Sequence, residues 1–162
     1  MRVRMLAAGA AILGLCLVSP PTARAFNWSK ALGGSDDAEQ FHTFKLIKVS
    51  DLEKLLAKHT QNLHIYDANA PETREKYGVI PGAKLIDAPS GYRVSTTLPP
   101  DKNATLVFYC ANSICIASHE AARRAVAAGY TNVNVMGDGI MGWKADGQRT
   151  ISAAAAAAAN KS

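Results

Sequence analysis

Thr105-Leu106-Val107-Phe108-Tyr109-Cys110 is followed by the polar stretch Ala111-Asn112-Ser113-Ile114-Cys115-Ile116-Ala117, and then by Ser118-His119-Glu120-Ala121-Ala122, the start of an alanine-rich run that stops at Gly129. An apolar run of β-branched and aromatic residues, too short for a helix, reads as a buried strand over 105–109. The alanine-rich segment predicts a helix over 118–128, with Gly129 just past its end. A cysteine therefore stands where a buried strand ends and a loop leads into a helix. In open α/β sheets that is where ligands bind. Loop amides and a helix N-terminus supply partial positive charge there. They predict a Cys110 thiolate held below the value of about 8.5 of a free cysteine.

The same alternation extends in both directions. Upstream, residues 44–49 and 63–67 read as strands, the second ending at Asp67. Between them Ser50-Asp51-Leu52-Glu53 has the form of a capping box and predicts a helix to about Lys58. Residues 70–77 predict a helical turn, residues 84–87 a brief strand, and residues 90–102, with Gly91, Pro99 and Pro100, a loop. Downstream, residues 133–136 predict a last strand, residues 137–142 a glycine-rich loop, and Trp143 the start of a short helix. Strands alternating with helices define an α/β fold with a mostly parallel central sheet and helices on both faces. The seven alanines at 153–159 carry no pattern that specifies packing, so residues 151–162 read as a tail.

The first residues belong to another category. Arg2 and Arg4 precede an apolar run over 5–18, followed by Pro20, Pro21 and Ala23-Arg24-Ala25. These are the parts of a secretory signal spanning residues 1–25. The run is short for a bilayer span, and the bulky Leu15 before Cys16 argues against a lipid-attachment site. Cleavage removes Arg2, Arg4 and Arg24 and no acid, so 15 bases face 13 acids, a net charge of +2 against +5 for the whole chain. No basic cluster remains to suggest nucleic acid. Residues 26–40, polar with Gly33-Gly34-Ser35-Asp36-Asp37, read as a flexible leader, which leaves a single domain over 41–150. The mature chain is expected in the periplasm or secreted, away from the membrane once cut. Two cysteines remain, Cys110 and Cys115, five positions apart in an oxidising compartment.

Several ordered motifs make the chain recognisable over nearly all of residues 41–148. They are Ile65-Tyr66-Asp67 with Glu72 and Arg74, Gly78-Val79-Ile80-Pro81-Gly82-Ala83, Leu98-Pro99 and Val107-Phe108-Tyr109-Cys110. The helix alanines Ala121-Ala122, Gly129-Tyr130-Thr131-Asn132-Val133 and Gly137-Asp138-Gly139-Ile140-Met141-Gly142-Trp143 continue the series. The chain resembles the rhodanese-like domain family. The resemblance implies that Cys110 is a nucleophile carrying a persulfide during sulfur transfer, and that Asp67 and Arg74 form a structural pair at the sheet edge. Three departures stand out. The family's Asp-Val-Arg reads Asp67-Ala68-Asn69, its Gly-His turn reads Gly78-Val79, and Cys115 stands where the loop arginine is common, with Ser118 two positions late. Without that arginine the loop lacks the cation that would grip thiosulfate, and also the one that cysteine-based phosphatases on this sheet need.

The expected function is a sulfurtransferase. Cys110 attacks a small sulfane-sulfur donor, the loop formed by Ala111, Asn112, Ser113, Ile114 and Cys115 binds the substrate sulfur, and a thiol acceptor, small or protein-borne, collects it. The chemistry requires no metal or organic cofactor. Cys115 is a second catalytic candidate, either resolving a persulfide on Cys110 or filling space in a longer loop. His119 lies near both thiols, where it could assist proton transfer, complete a Cys/Cys/His metal site that has no evident fourth ligand, or face solvent. His42, His59 and His64 have no partners at metal spacing. Two alternatives belong to other classes: a dithiol/disulfide redox protein using Cys110 and Cys115, and a non-catalytic rhodanese-like binding module. The sequence leaves the oligomeric state open.

Overall fold

Five strands form one sheet in the order β1-β5-β4-β2-β3, every neighbouring pair parallel. They are β1 (Lys45–Ile47), β2 (Leu63–Asp67), β3 (Lys84–Leu85), β4 (Thr105–Tyr109) and β5 (Asn132–Met136). The structure is a computed structural model that describes residues 44–160. The expected signal, leader and His42 lie outside the described residues. The helices are α1 (Val49–Ala57), α2 (Pro71–Tyr77), α3 (Val94–Thr97), α4 (Ala117–Ala127), α5 (Gly139–Ala145) and α6 (Ala153–Ala159).

β4 is central, pairing residue for residue with β2 (Ile65 opposite Val107) and with β5 (Val107 opposite Asn134). Its side chains alternate between two cores, as the period of two in an extended chain requires. Leu106 and Phe108 pack with Ala121, Ala122 and Ala125 of α4 and with Tyr92 and Leu98. Val107 and Tyr109 face the other way, toward Leu52 of α1, Ile140 and Trp143 of α5, and Ala156 of α6. The small alanines let α4 lie close on the sheet. The helices thus cover both faces, and both cores meet at β4, which fixes the position of the loop that follows it.

Three details differ from the sequence reading. α1 begins two residues earlier than the Ser50 cap predicts, with Lys48 as the N-cap: the Asp51 carboxylate accepts from Lys48 N–H at 3.2 Å, and Asp138 Oδ2 accepts from Val49 N–H at 3.2 Å. Asp138 is a distant partner that no local spacing reveals. The glycine-rich stretch expected to be a loop is already helix from Gly139. The alanine stretch expected to be a tail is the helix α6, capped by Ser152 Oγ on Ala155 N–H at 3.2 Å, with Ala156 buried. An antiparallel bridge between Val79 and Ile151 ties it down.

Candidate active site

The loop after β4 is held from below by α5. Ile140 N–H donates to Cys110 O at 2.8 Å and Met141 N–H to Ala111 O at 3.0 Å, so orphan amides of a helix start satisfy orphan loop carbonyls. The approach is close enough to require glycine at 139. Its φ is +64°, and a Cβ there would lie 2.5 Å from the Ala111 carbonyl and 2.6 Å from Asn112 N. The Asn112 side chain then turns the loop, accepting from Ile114 N–H at 3.2 Å, and Asn112 O accepts from Cys115 N–H at 3.2 Å. This curl brings Cys115 back over Cys110.

Both cysteines lie beside the N-terminus of α4, whose N-cap residue Ile116 makes no side-chain cap. The Ala117 amide bears on Cys115 and the Ser118 amide on Cys110, each favouring the thiolate. Cys110 is 1% exposed. Its Sγ lies 3.1 Å from the Cys115 carbonyl oxygen and 3.2 Å from Ser118 Oγ. Burial pushes the Cys110 thiol up to about 11, and donation toward Cys115 adds to this; the Ser118 hydroxyl and amide pull the other way. Cys115 shows the opposite balance. Burial would raise it, but the Cys110 thiol and the Ala111 and Ala117 amides hold it below the ordinary thiol value. At Cys110, where the sequence predicts an amide-stabilised thiolate, burial outweighs the Ser118 hydroxyl and amide and favours the neutral thiol.

Cys115, partly exposed, opens onto a cleft of about 320 Å³ together with Ala111, Ala117, Ala68, Asn69 and Thr73. Among the described residues no cationic side chain lines it, and the acid Asp87 does. Arg74 stands behind this wall, fully engaged: Nε donates to Asp67 Oδ1 at 3.0 Å, Nη1 to Asp87 Oδ1 at 2.6 Å, and Nη2 to the carbonyls of Asp67 and Ile86 at 3.1 and 2.9 Å. Tyr109 Oη donates to Asp67 Oδ2 at 2.5 Å and accepts from Ile80 N–H at 3.0 Å. This buried network sets the β2 end that walls the cleft.

Not all residues expected to bind substrate gather there. Ala111 does; Asn112 and Ser113 line a separate cleft beside Lys48, Val49 and Asp138. Ile114 points outward, 87% exposed. His119 packs edge-on against Phe44, ring centroids 5.6 Å apart, outside the residues lining the cleft. The sequence reading gave no role to Asn69, which is 4% exposed and lines the cleft; among the described residues its Nδ2 and Oδ1 have no hydrogen-bond partner. The only sequence signal for it was its departure from the family's arginine.

Fold and site first define a class: an all-parallel α/β domain with a two-cysteine loop at the carboxyl end of its central strand. The chain belongs to the rhodanese-like domain family, whose model matches residues 48–146. No curated protein matches it by sequence. Among solved structures it is similar to the polysulfide-sulfur transferase homodimer of Wolinella succinogenes (14% identity, 76% of this chain and 90% of that one, TM-score 0.58). It is also similar to a thiosulfate sulfurtransferase of Pseudomonas aeruginosa (24% identity, 75% of this chain and 22% of that one, TM-score 0.55). A third is RPA3614 of Rhodopseudomonas palustris, named a possible tyrosine phosphatase (22% identity, 70% of this chain and 89% of that one, TM-score 0.57). At these identities the likeness is one of fold.

Proposed function

We propose that the domain is a sulfurtransferase that accepts sulfane sulfur as a persulfide on its thiol pair and passes it to a thiophilic acceptor. One observation carries the reading: Cys115 lines the cleft, partly exposed, with the Cys110 sulfur 3.1 Å from its carbonyl oxygen, so two thiols of one loop meet at the cleft wall. Family membership supports sulfur chemistry at this loop. Cys115, as thiolate, attacks the sulfane sulfur of a small donor, whose remainder leaves with the bonding pair. An acceptor thiolate then attacks the outer sulfur, and Cys115 departs as thiolate. The sequence reading puts the persulfide on Cys110; exposure and hydrogen bonding favour Cys115 as the first attacker. With the export predicted from the N-terminus, the acceptor is a thiol outside the cytoplasm.

The test uses the reduced full chain with benzenethiosulfonate as donor and cyanide as acceptor. Benzenesulfinate and thiocyanate are expected from the unmodified protein and lost in Cys115→Ser. Absence of sulfinate from the reduced protein would overturn the proposal, and its persistence in Cys115→Ser with loss in Cys110→Ser would return first attack to Cys110. The closeness of the two free cysteines, Cys110 Sγ lying 3.1 Å from the Cys115 carbonyl oxygen, also favours a second reading, a dithiol oxidoreductase. It predicts loss of two hydrogens on mild oxidation and no sulfinate from the donor.

A further inference from the structure

Resting on the sulfurtransferase reading, the geometry points to a second fate for the bound sulfur. We infer that, when no acceptor arrives, Cys110 attacks the inner sulfur of a Cys115 persulfide, expels hydrosulfide and leaves a Cys110–Cys115 disulfide.

Cys115 lines the cleft and Cys110 does not; Cys110 is 1% exposed, enclosed by the Cys115 carbonyl and Ser118. A donor in the cleft therefore meets Cys115, and the added outer sulfur lies on the cleft side. Cys110 stands behind the same residue, its Sγ 3.1 Å from the Cys115 carbonyl oxygen, on the side of the atom that becomes the inner sulfur of the persulfide. Thiol–disulfide exchange occurs at the sulfur the nucleophile can reach, and a less basic leaving group departs faster. Hydrosulfide is less basic than an alkyl thiolate, so both position and leaving group direct attack to the inner atom.

The balance closes without a further oxidant. In the first step the Cys115 thiolate takes sulfane sulfur from the donor, and the donor's remainder leaves with the electron pair. In the second, the Cys110 sulfur bonds to Cys115 Sγ, the bond between inner and outer sulfur breaks, and the Cys110 proton leaves on the outer sulfur as hydrosulfide. The sulfane sulfur is the oxidant: it is reduced to sulfide as two thiols become one disulfide. Disulfide geometry needs Cα atoms within about 7 Å, and the loop is already curled, with Cys110 Sγ 3.1 Å from the Cys115 carbonyl oxygen. Return to the dithiol requires an external dithiol reductant, which takes up the disulfide and is itself oxidised.

The experiment is a single turnover of the reduced full chain with benzenethiosulfonate, without acceptor or reductant, quenched by alkylation. Sulfinate, released sulfide and intact mass are read together. The expected result is one sulfinate and one hydrosulfide per chain, with a mass lower by two hydrogens. In Cys110→Ser, sulfide falls to none and the mass instead gains one sulfur, located on Cys115. A stable added sulfur on the unmodified protein with no sulfide would overturn this inference and leave the sulfurtransferase reading standing. Absence of sulfinate would overturn the sulfurtransferase reading itself.

Discussion

Replacing Arg74 with methionine tests whether the buried ion network holds the wall of the cleft. The guanidinium is 4% exposed on its side chain and donates four hydrogen bonds, one to a fully buried Asp67 carboxylate. The partner Asp87 is 82% exposed, so that pair contributes little in water. The Asp67 half decides the magnitude. Without arginine the carboxylate keeps only the Tyr109 hydroxyl and the Asn69 amide, and the carbonyls of Asp67 and Ile86 lose their donor. Breaking a buried pair from one side costs about 3–5 kcal/mol, a large share of the roughly 5–15 kcal/mol of a typical domain. At roughly 4 °C per kcal/mol for this size, Arg74→Met should lower Tm by roughly 15 °C. Urea unfolding followed by far-UV circular dichroism measures the loss, provided the slope with denaturant is unchanged. Arg74→Lys should recover less than half, because an ammonium cannot reproduce the fork that reaches two carboxylates and two carbonyls. A loss below about 1 kcal/mol for Arg74→Met, or full rescue by lysine, would refute the reasoning, since neither fits a stranded buried carboxylate.

Three further outcomes follow from the site. Iodoacetamide should label Cys115 with a midpoint below the ordinary thiol value and spare Cys110 until pH nears about 11, as peptide mapping across pH would read; Cys110 reacting first would contradict this. The stability corollary has opposite signs for the two thiols. The raised Cys110 contributes fully below the ordinary thiol value and its share is lost as pH climbs toward about 11, whereas the share of the depressed Cys115 is present above the ordinary value and lost as pH falls through its folded value. Cys110→Ala removes the neighbouring thiol that helps hold Cys115 below the ordinary thiol value, so Cys115 alkylation at neutral pH should slow severalfold, and an unchanged rate would show that Cys110 does not tune Cys115. Gly139→Ala forces a Cβ to 2.5 Å from the Ala111 carbonyl at a φ of +64°, which should cost about 2–4 kcal/mol and slow Cys115 alkylation as the loop shifts; native stability and reactivity would refute the close contact.

The central layer was legible because its signal is local. Leu106 to Tyr109 alternate between two cores, and the alanines of α4 recur on one face, so strand, loop and helix can be read without neighbours. The misreadings are non-local. Gly139 looks like a loop residue until Ala111 is seen packed against it. Ala156 looks featureless until the Val79–Ile151 bridge brings α6 onto the sheet. The same limit applies at the site. Spacing placed both cysteines in one loop, but which sulfur faces the cleft depends on the turn at Asn112, and after that turn it is Cys115 that lines it.

Because both cysteines stand beside the uncapped first turn of α4, Cys110 Sγ lying 3.2 Å from Ser118 Oγ, the chemical state of the pair is felt in the main chain. Loading, oxidising or protonating either atom changes the charge next to the Ala117 and Ser118 amides. Their two nitrogen–proton resonances form a native gauge of turnover, readable without any attached label.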